Sequence, residues 1–183
     1  MRKPFLEYLR DNIVVFDGAM GTELYNRGVF INRCFDELNL SNPDLVLEVH
    51  RGYRKAGVDV LETNTFGASR HKLRSHGFEE KLGEINEAGA RLARDIAGDD
   101  LYVAGSIGPI GLKIEPWGPT SLDEALEMFR EQARALVDGG VDLLSLETFL
   151  DMNEIEQAIR AVRSVCDLPI AAQMTLEEDG SSL

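Results

Sequence analysis

Apolar residues along this chain follow two rhythms. Short β-branched and aliphatic runs occur at Ile13-Val-Val-Phe-Asp-Gly18 and over 58–64, 101–107, 141–147 and 169–175. They are apolar on both faces, as strands buried from two sides are. Between them lie polar segments with apolar positions three and four apart, the mark of a helix with one buried face. Ser41-Asn-Pro-Asp44 opens a helix that carries Leu45, Val46, Val49, Tyr53 and Ala56 and ends at Gly57. A longer helix is expected over 79–97, with a stripe of Leu82, Ile85, Ala88, Ala90, Leu92, Ala93 and Ile96. Ser121-Leu-Asp-Glu124 is a capping box, predicting a helix to residue 138, and another helix covers 152–165. Shorter helical turns are expected over 21–27 and over 68–76, the second closed by Gly77. The Gly- and Pro-rich segment from Gly108 to Pro119 should be an irregular loop lying on the surface, with Trp117 as its packed anchor or, alternatively, as a lid.

Two of these strands belong to a repeat. Gly57-Val-Asp-Val-Leu-Glu-Thr-Asn-Thr-Phe66 and Gly140-Val-Asp-Leu-Leu-Ser-Leu-Glu-Thr-Phe149 share a helix-ending Gly, a Val-Asp strand start and a polar pair at the strand end. Strict alternation of buried strand and helix calls for a parallel sheet covered by helices. An open dinucleotide-binding sheet would carry G-x-G-x-x-G after its first strand, and Asp17-Gly-Ala-Met-Gly-Thr22 lacks that spacing. The expected fold is therefore α/β, a (β/α)8 TIM barrel represented by about its first five strands. Eight strands close such a barrel, and Glu178-Asp-Gly-Ser-Ser-Leu183 reads as the loop after strand five. Residues 1–183 are accordingly expected to be the N-terminal portion of a single barrel domain. Its open edge invites self-association or covering by a further segment.

Charge and composition narrow the function. A net charge of −13 opposes binding to a phosphate backbone, so no nucleic-acid partner is expected. No apolar run is long enough to span a bilayer, and the start of the chain lacks the uninterrupted apolar core of a secretion signal. The cytoplasm is the expected location. Cys34 and Cys166 lie far apart and are expected to be free thiols.

In a parallel barrel the chemistry sits at the carboxyl ends of the strands. Asp17 closes the first strand beside the turn Gly18-Ala-Met-Gly21, whose amides could hold a carboxylate; a plain turn aspartate is the alternative. Glu147 follows a buried strand and must find a cation or a proton there, or else an ion pair with a nearby Lys or Arg. Asn64 and Thr65 hold the equivalent place in the first repeat, as substrate-orienting groups or as helix caps, and Glu62 stays unassigned. His50, His71 and His76 make no metal-ligand pattern and are expected to be solvated. Neither cysteine is placed like a catalytic thiol or a zinc ligand.

Four ordered segments carry a resemblance. Phe16-Asp-Gly-Ala-Met-Gly-Thr-Glu-Leu24, Glu62-Thr-Asn-Thr-Phe-Gly67, Val103-Ala-Gly-Ser-Ile-Gly-Pro109 and Glu147-Thr-Phe149 resemble the successive signatures of the homocysteine S-methyltransferase family. The likeness runs from about Ile13 to Ser182. It is greatest to the homocysteine-binding modules of cobalamin-dependent methionine synthases and of bacterial proteins that fuse this module to a methylenetetrahydrofolate reductase. The resemblance implies a zinc-dependent barrel that methylates the thiol of homocysteine to give methionine. Asp17 and Glu147 would receive the substrate's ammonium, and the amides of Gly18, Ala19, Met20, Gly21 and Thr22 its carboxylate. The methyl donor stays open, since methylcobalamin, methyltetrahydrofolate, betaine and S-methylmethionine users share this barrel; methylcobalamin or methyltetrahydrofolate, presented by a C-terminal donor or reductase module, is the expected one. The family's zinc cysteines lie in Asn-x-Cys and Gly-Gly-Cys-Cys segments that do not occur up to Leu183. The 183 residues are thus expected to supply the amino-acid half of the site, without zinc ligands and without methyl transfer of their own. Two rivals remain: another barrel enzyme with Asp17 and Glu147 as acid and base, and a non-catalytic binding or assembly module.

Overall fold

The computed structural model describes residues 2–182, so the ends of the expected domain, Met1 and Leu183, lie outside it. Four strands, β1 (Val60–Glu62), β2 (Tyr102–Ile107), β3 (Leu143–Phe149) and β4 (Ile170–Met174), form one parallel sheet in the order β1-β2-β3-β4. Strand order that follows chain order without reversal is the winding of a barrel; a doubly wound sheet reverses at a switch point. Phe16 adds a fifth position by bridging in parallel to Val60.

The first expected strand is thus a single bridge. Val15 O accepts from the N–H groups of Asp59 (2.8 Å) and Val60 (3.2 Å), but the Val15 N–H is taken by Asp59 Oδ2 at 2.8 Å. The second repeat does the same. Asp142 N–H donates to Val103 O (2.8 Å), while Asp142 Oδ2 accepts from Val103 N–H (2.7 Å). The two repeat aspartates are therefore clasps that tie each strand start to the preceding strand. The glycines before them, Gly57 and Gly140, sit at φ 93° and 88°, a region that suits glycine at a helix end.

Eight helices occur among the described residues: α1 (Phe5–Asp11), α2 (Met20–Asn26), α3 (Leu38–Ser41), α4 (Pro43–Ala56), α5 (Arg70–Arg74), α6 (Leu82–Ala97), α7 (Leu122–Asp138) and α8 (Met152–Val165). The helix expected over 79–97 is divided into a 3-10 turn, Glu79–Lys81, and α6. The capping box forms as expected, Ser121 Oγ accepting from Glu124 N–H and the Glu124 carboxylate accepting from Ser121 N–H.

Alternation along the strands sorts the core. Leu61, Val103, Ile107, Leu144 and Leu146 point outward to α6, α7 and α8, where Ala93, Phe129, Ala133, Ala158 and Val162 meet them. Val60, Tyr102, Ala104 and Leu143 point inward, and Phe5 of α1 covers them, its ring edge-on to Tyr102 at 5.2 Å. The amino ends of the strands are thus closed by an aromatic plug, leaving the carboxyl ends for a pocket.

Three expectations fail here. His50 is fully buried, not solvated: with Val46, Val49 and Tyr53 it falls at i, i+4 on the inward face of α4. The Gly108–Pro119 loop is only in part superficial, because Ile110 and Ile114 insert into the outer core. Trp117 is 69% exposed and anchors nothing, its place in the core being taken by those two smaller side chains.

β3 holds a feature that the alternation did not predict. Its register shifts between Leu146 and Phe149, and Thr148 takes φ 64°, rare and strained for a β-branched residue. With this extra residue Phe149 returns to the outward face, its ring 5.8 Å from that of Phe129. Glu147, the last residue before the bulge, keeps the inward side.

Candidate functional site

A cavity of about 680 Å³ opens at the carboxyl ends of the strands. Of the residues expected there, Asp17, Gly18, Ala19, Met20, Gly21, Asn64 and Glu147 line it; Thr22 and Thr65 do not. Glu62, Ser106, Lys72 and Asp36 line it as well. Glu62 could have been found by counting: two residues after the inward Val60, it must face the interior too. Lys72 and Asp36 lie far from one another in the chain and gave no comparable signal.

Three carboxylates crowd one wall. Asp17 Oδ1 accepts the backbone N–H of Glu62 at 3.0 Å. Glu147 Oε1 accepts the hydroxyl of Ser106 at 2.6 Å. Glu62 Oε1 is buried and has no hydrogen-bond partner. Burial pushes Asp17 up to about 8; the Glu62 N–H works against this, while the Glu62 and Glu147 carboxylates add to it. Burial first and Glu147 second push Glu62 up to about 7, with the Ser145 hydroxyl acting in the opposite sense. No Lys, Arg or His among the described residues compensates Asp17 or Glu62. The wall is therefore a place where a cation would be welcome.

Opposite charge lies elsewhere in the cavity. Lys72 sits over the Phe66 ring, Nζ 4.7 Å from its centre, and burial lowers its pKa although Asp36 opposes this. Asp36 Oδ1 accepts the Gly67 N–H at 2.9 Å, and burial raises its pKa. At the turn, the first intrahelical bond of α2 runs from Glu23 N–H to Ala19 O (3.4 Å), so the Met20, Gly21 and Thr22 amides precede the helix's own donors.

The loop after β1 is held from beneath by a buried polar network. Both N–H groups of the Asn64 amide are consumed, by Phe35 O (2.7 Å) and Asn39 Oδ1 (3.1 Å). Thr65 Oγ1 donates to Ser106 O (2.8 Å), and Gln132 Nε2 donates to Thr65 O (2.8 Å). Thr65 is thus a strut of the loop rather than part of the cavity wall. Thr63 Oγ1 receives the Ser106 N–H at 3.0 Å, so the strut continues to the residue that holds Glu147.

The histidines and cysteines divide. His76 is exposed at the cavity, His71 is half-buried, and both cysteines are free. Cys34 is buried on the cavity wall, its Sγ 3.9 Å from Asp36 Oδ2, and burial, then Asp36, pushes its thiol up to about 11. It is a thiol at neutral pH. Among the described residues no group of three His, Cys, Asp or Glu is arranged to hold a metal ion. The residues present therefore do not fit the zinc site that the family implies.

Ionisation at this wall makes a stability prediction. Asp17 and Glu62 keep protons in the folded state that the unfolded chain releases near pH 4, so they weaken the ligand-free fold as pH rises toward 8. His50, held near 4 by burial, acts in the other sense: the unfolded imidazole binds a proton below 6.5 and the folded one does not. The two effects oppose each other below pH 6.5, and above it Asp17 and Glu62 act without opposition from His50. The thermal midpoint should fall between pH 6.5 and 8, and the fall should flatten in the Asp17→Asn, Glu62→Gln double variant. An equal fall in that variant would refute the assignment.

Fold and cavity together define an α/β protein of TIM-barrel type with an acidic pocket at the carboxyl ends of its strands. Its sequence places it further: the family profile described as Homocysteine S-methyltransferase matches residues 14–183. The chain belongs to the homocysteine S-methyltransferase family. The methionine synthases of Mycobacterium leprae and Mycobacterium tuberculosis are 32% and 31% identical to it over 97% of its length, and the chain spans 16% of theirs. Crystal structures of the Escherichia coli homocysteine methyltransferase MmuM superpose with TM-scores of 0.85 (metallated form) and 0.84 (oxidized form). Their identities are 26% and 27%, covering 98% and 99% of this chain and 71% and 70% of that one. No described helix is long and apolar enough to cross a membrane.

Proposed function

We propose that this chain binds the amino-acid end of homocysteine in its acidic pocket, and that the whole protein methylates the homocysteine sulfur to give methionine. The observation that carries this is the wall of Asp17, Glu62 and Glu147 with no compensating cation, in a chain of this family. A bound ammonium would satisfy charges that burial now keeps partly protonated. The substrate's carboxylate is assigned to the Met20 and Gly21 amides, with Gly18 and Ala19 leaving room for its approach and Asn64 bordering it. In the reaction the thiol loses its proton as the sulfur–methyl bond forms, and the donor leaves with the electron pair of its former methyl bond.

The described residues handle recognition; a zinc ion, which in the family would favour the thiolate, would need ligands that they do not supply. The donor is methylcobalamin or methyltetrahydrofolate, carried by further modules; the small share of the methionine synthases that the chain matches supports this. A cytoplasmic setting accords with the two unpaired cysteines.

Calorimetric titration under reducing conditions tests the proposal. L-Homocysteine should bind and raise the thermal midpoint, whereas 4-mercaptobutyrate, which lacks the ammonium, should not. Equal binding of the two, or of neither, would overturn it.

A further inference from the structure

Asp17 and Glu147 each have one oxygen held by a donor of the protein, the Glu62 N–H and the Ser106 hydroxyl. Glu62 differs. Its Oε1 is out of reach of solvent and has no hydrogen-bond partner. An unpaired buried acceptor is costly to keep, and this one belongs to a residue on the wall of the pocket. It also stands on the inward side of β1, two residues beyond Val60 and beside Ser145 on β3.

A primary ammonium has three N–H donors and no acceptor. The pocket offers three carboxylates from three separate strand ends: Asp17 after the Phe16 bridge, Glu62 on β1 and Glu147 on β3. We propose that Glu62 is a specificity-determining residue of this pocket, supplying the third acceptor that reads the substrate's amino group as an unmethylated, primary ammonium. This rests on the homocysteine assignment above and extends it, because two carboxylates would suffice to attract a positive charge of any kind. The third makes the site count hydrogens. An N,N-dimethylated amino acid keeps its charge but has one N–H, so it leaves two acceptors unfilled and pushes methyl groups against them.

The test is calorimetric titration of the wild-type protein and of Glu62→Gln with L-homocysteine and with N,N-dimethyl-L-homocysteine. Wild type should prefer the primary amine by about tenfold or more, as the loss of charged hydrogen bonds implies. Glu62→Gln should weaken L-homocysteine by about tenfold and narrow that preference. The variant retains the shape of Glu62 and removes a buried unpaired charge, so its thermal midpoint should be no lower than that of wild type. Should it not fold, the preference of the wild type decides. Unchanged affinity and preference in Glu62→Gln, or no preference in wild type, would overturn the role of Glu62 and leave homocysteine binding intact. Failure of wild type to bind L-homocysteine would overturn the substrate assignment, and the role of Glu62 with it.

Discussion

Asp17→Asn is expected to weaken homocysteine binding by about a hundredfold while making the protein more stable. The carboxylate of Asp17 is buried beside two others, and its ordinary charged form is opposed by burial more than by anything else. Asparagine keeps the oxygen that accepts the Glu62 N–H, so the local backbone should not change. What disappears is the ionisable group, and with it the attraction for an ammonium and the repulsion from Glu62 and Glu147. In a chain of this size a gain of about 1 kcal/mol corresponds to a rise of about 2–4 °C in thermal midpoint. Loss of affinity together with a raised midpoint is the signature of a site maintained for function at the expense of the fold. If Asp17→Asn lowers the midpoint and leaves affinity unchanged, Asp17 is an ordinary turn residue.

Phe129→Ala should be the most damaging single change to the core, about 3–5 kcal/mol. Phe129 is fully buried on α7, against sheet and helix at once. Total stabilities are typically about 5–15 kcal/mol, so the thermal midpoint should fall by roughly 6–20 °C. The consequence should reach the pocket. Phe149 rests on Phe129, and the outward position of Phe149 in that outer core is what the strained Thr148 conformation serves. Without the Phe129 ring, Phe149 loses its seat, Thr148 can relax, and Glu147 loses the strand end that aims it. Affinity for homocysteine should therefore drop further than in a core variant of comparable cost placed away from β3, such as Ile85→Ala on α6. Equal affinity in the two variants at a temperature where both are folded would show that the bulge does not position Glu147.

The lines of the barrel could be read from residues near one another in the chain. The Gly57 and Gly140 helix ends, the Ser121 capping box and the apolar stripes of α4, α6, α7 and α8 are local patterns, decided within one or two turns. Parallel order without reversal followed from their strict alternation with strands, and the four family segments named the strand ends where the pocket lies. His50 was also legible, by the spacing that it shares with Val46, Val49 and Tyr53, but its polar identity argued for the surface and that argument lost to packing.

Other features arise from contacts across tens of residues, which no local pattern contains. Asn64 and Thr65 look like ligand-binding groups in a strand-end motif, yet their hydrogen bonds run to Phe35, Asn39 and Ser106 on other segments. Trp117 and the isoleucines of its loop exchange the roles that size and composition suggest, because the space under the loop fits Ile110 and Ile114. The order of elements, the barrel-type winding and the carboxylates at the strand ends were legible from the residues alone, since these depend on periodicity, caps and motifs within short spans. Tertiary structure alone decided that Asp17, Glu62 and Glu147 share one wall without a cation, that Ser106 holds Glu147, and that a bulge at Thr148 follows Glu147 and turns Phe149 outward. The physical reason is that a group's surroundings set its charge and direction, and in a parallel barrel those surroundings come from neighbouring strands some forty residues away in the chain.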